Sequence, residues 1–152
     1  QIYFLEVRFM GIKISTDEIK YIGLFESMTG ATVKDCIFED NKTKIVYVVK
    51  EGDMGLAIGK NGTNAQKVKE TLNKPIDIIE YSEDPVKFIK NIIWPVKVKS
   101  IHVSERKDGK KIAVLDINKK DKGLVIGKEG KNIDRIKNLL KRHHNLDDIM
   151  IM

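Results

Sequence analysis

The chain is 152 residues long with a mass of 17.4 kDa, enough for one ordinary domain or two small ones, and its 41% hydrophobic and 33% charged residues exclude general disorder. No apolar run approaches the roughly 20 residues that cross a bilayer, and Ile2 to Phe9 is broken by Glu6 and Arg8, so a cytoplasmic protein with no membrane partner is expected. The net charge of +6 is uneven: Gln1 to Ser82 holds 11 Lys and Arg against 12 Asp and Glu, whereas Glu83 to Met152 holds 17 against 10, so attraction of an anionic partner comes from the second half.

In chain order, Ser15 and Glu18 have the spacing of a capping box, and Ile19, Ile22, Phe25 and Met28 then recur at helical spacing until Gly30 ends the helix. Thr32 to Phe38 and Lys44 to Lys50 are rich in β-branched residues and flank a polar turn, Glu39 to Thr43, which predicts a hairpin. A short apolar stretch, Met54 to Ile58, leads through a glycine loop to a longer helix with Ala65, Val68 and Leu72 on one face, and Ile76 to Tyr81 closes the unit as a strand. Cys36 is the only cysteine, which excludes an intrachain disulfide and a cysteine-rich zinc site and predicts a buried, inert thiol.

The order then repeats. A helix from Asp84 to Ile93 is stopped by Pro95, strands are predicted around Val96 to Ser104 and Lys110 to Ile117 with a turn at Asp108-Gly109, and Ile133, Ile136 and Leu140 mark another amphipathic helix before a last strand at Ile149 and Ile151. A shift of 68 positions lays Asp53 to Leu72 over Asp121 to Leu140 with 10 of 20 positions identical. That period is the size of a small domain rather than a solenoid repeat, so the expectation is an N-terminal extension over residues 1–10, a first domain over 11–82 and a second over 83–152. The fold class is α+β, each unit reading α-β-β-α-α-β.

The strongest repeat lies at Ile58-Gly59-Lys60-Asn61-Gly62 and Ile126-Gly127-Lys128-Glu129-Gly130. Glycine lacks a Cβ, so a phosphodiester can approach its backbone closely, and the following helix presents unpaired N–H groups and a positive dipole end to that anion. Lys60 and Lys128 add a full charge beside it. Glu129 places a negative charge in the second loop, but Lys128, Lys131 and Arg135 surround it, so net attraction is expected to survive.

A Gly-x-x-Gly loop in this order of elements resembles the KH family, in the type II form whose hairpin precedes the two helices holding the loop. The resemblance implies two type II KH domains in tandem, which bind single-stranded RNA without catalysis or cofactor. It carries RNA contact to Ile58, Gly59, Lys60, Asn61, Gly62 and Asn64 in the first unit and to Ile126, Gly127, Lys128, Glu129, Gly130, Lys131, Asn132 and Arg135 in the second, with Ile58 and Ile126 on the groove wall. The loops hold backbone in such domains while bases lie in an apolar groove, and 10 aromatic residues with none in either loop fit that better than a stacking platform. The segments IGLFESMTGATVKDCIFED and FIKNIIWPVKVKSI are similar to the archaeal NusA-like transcription termination and antitermination factors, a likeness that runs from about Gly11 to Met152. It implies a transcription factor acting on nascent RNA, a monomer, with the RNA polymerase elongation complex as a further partner; no segment here resembles the polymerase-binding N-terminal or S1 domains of bacterial relatives, and Met10 is read as the natural initiator. A ribosome-assembly or RNA-processing KH protein, or a protein-interaction scaffold with degenerate grooves, are the alternatives.

Other features have plainer readings. Gly59-Lys60 and Gly127-Lys128 do not make a P-loop, because that motif needs four residues between its glycines and a Ser or Thr after the lysine. His143 and His144 lack a third metal ligand and are expected to complement a helix dipole, and His102 to be a half-exposed sheet residue. Trp94 is expected to pack the two domains together rather than stack on a base. Lys107 to Lys111 is either a solvated hairpin or an extension of the RNA path.

Overall fold

The computed structural model describes residues 7–9, 12–14 and 16–152. By its contacts the chain divides into Gln1–Tyr81 and Ser82–Met152. Two three-residue strands, β1 (Val7–Phe9) and β2 (Ile12–Ile14), pair antiparallel across the boundary expected between the extension, residues 1–10, and the first domain. Ser15, the anticipated cap of the first helix, lies outside the described residues.

In the first unit, α1 (Thr16–Thr29) stops where Gly30 turns to φ 78° and its N–H returns to Glu26 O, because only glycine takes that conformation without strain. The hairpin β3 (Val33–Glu39) and β4 (Lys44–Val49) follows. Two short helical pieces, α2 (Met54–Ile58) and α3 (Thr63–Leu72), then cross over so that β5 (Ile76–Glu80) lies parallel to β4, giving the strand order β3-β4-β5. The core is built from Phe25 on α1, Val33, Cys36, Ile45, Tyr47 and Val49 on the sheet, and Ala57 and Val68 on the crossover, all buried. Phe25 stacks on Tyr47 at 4.2 Å, and the Tyr47 hydroxyl donates to Tyr21 O at 3.0 Å, so its burial, which pushes its pKa well above the ordinary phenol value, leaves no unpaired donor. The valine, isoleucine and phenylalanine side chains among these each contribute about 1.5–3 kcal/mol through burial, so Val68→Asp would break the packing that holds α3 to the sheet.

The second unit repeats this with α4 (Pro85–Ile93), β6 (Val98–Glu105), β7 (Lys111–Ile117), α5 (Lys122–Ile126), α6 (Lys131–His144) and β8 (Asp148–Ile151), in strand order β6-β7-β8 with β7 and β8 parallel. Asp84 is the cap rather than the first residue of α4: its carboxylate accepts from Val86 N at 3.0 Å and Pro85 takes the first helical position. Both hairpins carry a bulge at the same place, between Val33 and Asp35 and between Val98 and Ser100. Phe88, Leu115, Ile136, Leu139 and Leu140 are fully buried. Cys36 is buried, as its position in β3 required.

Three expectations are corrected. Trp94, expected to be packed, is 79% exposed: it ends α4 with extended dihedrals before Pro95, which turns its ring out of the helix's buried face. His144 has more than a dipole to answer: its Nε2–H donates to Ser82 O at 2.8 Å, its ring lies 5.3 Å from that of Phe88, and burial lowers its pKa against the opposing effect of the Ser82 bond. His102 is exposed rather than half-exposed, since β6 is an edge strand.

Candidate nucleic-acid interface

The two glycine loops have one backbone. Gly59 and Gly127 sit at φ/ψ 76°/172° and 77°/170°, Asn61 and Glu129 at 55°/29° and 57°/25°, and Gly62 and Gly130 at 74°/13° and 75°/13°. The first glycine of each pair is obligatory for two reasons. Its φ/ψ is one that only glycine adopts without strain, and a Cβ there would lie 2.7 Å from Cγ and 2.9 Å from the backbone N of Asn64 or Asn132. The second glycine is free on its outer side: a Cβ on Gly62 would meet nothing within 4 Å, and on Gly130 only Ile133 at 3.8 Å.

Within each loop the turn is closed by Gly62 N–H to Gly59 O at 3.1 Å and by Gly130 N–H to Gly127 O at 3.2 Å. Lys60 keeps helical dihedrals while Asn61 is left-handed, and the same succession of right- and left-handed residues at Lys128 and Glu129 is the conformation in which successive N–H groups form an anion-binding concavity. The Lys60, Asn61, Lys128 and Glu129 side chains are exposed. Glu129 is the one acidic member of this set.

Asn64 and Asn132 also have a role within the fold. Each side-chain amide donates at 2.8 Å to the carbonyl of Leu56 or Leu124, eight residues back, and so clamps the end of the short helix to the start of the long one. One of the two N–H groups of each amide is thus used within the fold. Lys131 is exposed and Arg135 half-buried on α6.

The apolar flank is larger than Ile58 and Ile126. These are 38% and 39% exposed, and beside them Leu56 and Leu124 are 51% and 64% exposed, while Ala57 and Val125 point inward and are buried. Leu56 and Leu124 were missed; the signal was their identity in the repeat, since a surface leucine retained in both copies of a polar loop region has no core to fill. Among the described residues, no group of three His, Cys, Asp or Glu is placed to hold a metal, and no helix is long and apolar enough to cross a membrane.

With that geometry established, comparison with known proteins finds a KH-domain model matching residues 19–108 and a model of the NusA-like second KH domain matching residues 85–150. A "Probable transcription termination protein NusA" of Methanocaldococcus jannaschii is 39% identical over 93% of this chain and 75% of its own length. The chain belongs to the NusA family of KH-domain proteins. A NusA relative of the same name from Methanococcus vannielii is 42% identical over 94% of this chain and 81% of its own length. The crystal structure of APE1850 matches with a TM-score of 0.77 at 37% identity, covering 91% of this chain and all of that one. The chain thus has an α+β architecture with two KH domains in tandem.

Proposed function

We propose that residues 59–62 and 127–130 hold the sugar-phosphate backbone of single-stranded RNA, and that Leu56, Ile58, Leu124 and Ile126 present an apolar wall to its bases. The observation that carries this reading is that two loops of different sequence keep the same dihedrals, with the first glycine sealed against Asn64 or Asn132 and the outer side open. A turn needed only for chain reversal has no reason to pair that geometry with exposed leucine and isoleucine in both copies. The binding is non-catalytic. Membership of the NusA family supports a role in transcription termination or antitermination, on nascent transcript, in the cytoplasm and in association with the elongating polymerase, with the chain a monomer.

Fluorescence anisotropy with labelled single-stranded RNA tests this directly. Neutralising phosphates with Lys60 and Lys128 alone predicts a slope of log affinity against log salt of about −1.4 or steeper. A variant with Asp at positions 60, 61, 128 and 129 should lose binding while keeping its circular dichroism spectrum; unchanged affinity would refute the site. Crosslinking in cells separates nascent transcripts from ribosomal RNA precursors.

A further inference from the structure

The first unit contains a second concave feature, at the far end of α3 from its loop. A cavity of about 510 Å3 opens between α1, the tip of the β3–β4 hairpin and the connector after α3. This falls within the roughly 300–1,000 Å3 of small-ligand sites. Three cations, Lys20, Lys42 and Lys74, line it against one anion, Asp17, in a half of the chain that carries one more acidic than basic residue. The remaining lining is apolar: Leu24 and two aromatic rings, Tyr21 and Phe38, which meet edge to face at 5.2 Å and 76°.

The cations are tied to the rings. Lys42 Nζ lies 6.0 Å from the Phe38 ring centre and Lys74 Nζ 5.5 Å from that of Tyr21, while Lys74 Nζ also donates to Lys42 O at 2.8 Å. Asp17 lies 3.9 Å from Lys42, with both side chains more than half exposed. The wall that presents Lys42 is strained, because Asp40, Asn41 and Lys42 stand at φ 51°, 56° and 67°, three successive L-residues in the left-handed region. The second hairpin needs no such run and turns with Gly109 at φ 84°. It also has Val103 at the register position of Phe38, so the aromatic lining belongs to the first unit alone.

We propose that this cavity is a nucleotide site separate from the glycine loops, in which a base lies against Tyr21 and Phe38 and its phosphate sits among Lys20, Lys42 and Lys74. Aromatic faces beneath a cationic rim match a ligand that is flat and apolar at one end and anionic at the other. An acidic peptide would satisfy the lysines and leave the rings unused. The nucleotide is either free or one residue of an RNA strand.

Titration of the full 15N-labelled chain with uridine 5′-monophosphate, adenosine 5′-monophosphate, inorganic phosphate and a single-stranded RNA octamer, followed by NMR, tests the site. Saturable shifts in the amides of residues 17–24 and 38–44 with a mononucleotide identify a free nucleotide as ligand, and the same shifts with the octamer alone identify an RNA residue; either supports the proposal. Lys42→Gln with Lys74→Gln should weaken that binding about tenfold or more, through two lost charge-assisted contacts. Lys60→Asp with Asn61→Asp should leave it in place, which separates this site from the loops. Absence of shifts with all four probes, an identical pattern from inorganic phosphate with the Tyr21 and Phe38 ring resonances unmoved, or full affinity in the folded double-glutamine variant would overturn it.

Discussion

The loops at residues 59–62 and 127–130 differ in charge and agree in backbone to within 4°. The agreement comes from the glycines and from Asn64 and Asn132, which are identical in the two copies, and the difference is confined to the exposed position between lysine and second glycine. Geometry and electrostatics are therefore set by different residues. One can be changed without the other, and each of the following experiments changes one.

The largest effect is expected at the first glycines. Gly59→Ala and Gly127→Ala put a Cβ against backbone at a glycine-only φ/ψ, and each should cost about 3 kcal/mol in urea unfolding, whereas Gly62→Ala, in open space, should cost about 1 kcal/mol. Unequal costs at Gly59 and Gly127 would break the comparison. Next come the charges: Lys60→Asp with Asn61→Asp changes the first loop by three charge units and should lower RNA affinity about 100-fold, while Lys128→Asp with Glu129→Asp changes the second by two and should lower it about tenfold. Anisotropy on each pair separately measures the difference.

Asn64→Ala and Asn132→Ala remove the amide that holds Leu56 O or Leu124 O, at about 1 kcal/mol each by urea unfolding, and equal losses would show the two clamps to be equivalent. Glu129→Asn makes the second loop match the first; RNA affinity should rise about threefold as a like charge leaves the phosphate. The smallest effect separates the units by pH. All three histidines lie after Ser82, and burial lowers the pKa of His144 in the folded state. Below its ordinary value of 6.5 the unfolded chain takes up a proton that the folded one refuses, so the second unit loses stability as pH falls from 7 to 5 while the first, without histidine, does not. Residue-resolved hydrogen exchange at the two pH values reads this.

How much of this was legible follows from which signals are local. The order of elements and both glycine loops could be read because β-branched runs, glycine stops and a 68-residue repeat are properties of neighbouring residues. The β1–β2 pair could not, as three-residue strands carry too little pattern. The bond from His144 to Ser82 spans 62 positions, and no spacing rule announces it. Leu56 and Leu124 escaped for another reason: in a five-residue helix of mostly apolar residues, periodicity does not say which side chain points outward. The left-handed run at Asp40 to Lys42 contains no glycine, so the composition of that turn gave no warning of its backbone.

The lock that shapes each loop is short-range. Gly59 N–H reaches Gly55 O and the Asn64 amide reaches Leu56 O, so the hydrogen bonds named here that shape the first glycine lie within residues 55–64, and within residues 123–132 in the other copy. A segment so self-contained is portable. Transplanting residues 55–64 in place of 123–132 with Val125 retained would carry its shape with it, spare the buried valine and change only the residues at 129 and 131, which gives such a lineage a way to retune its grip on RNA without refolding its scaffold.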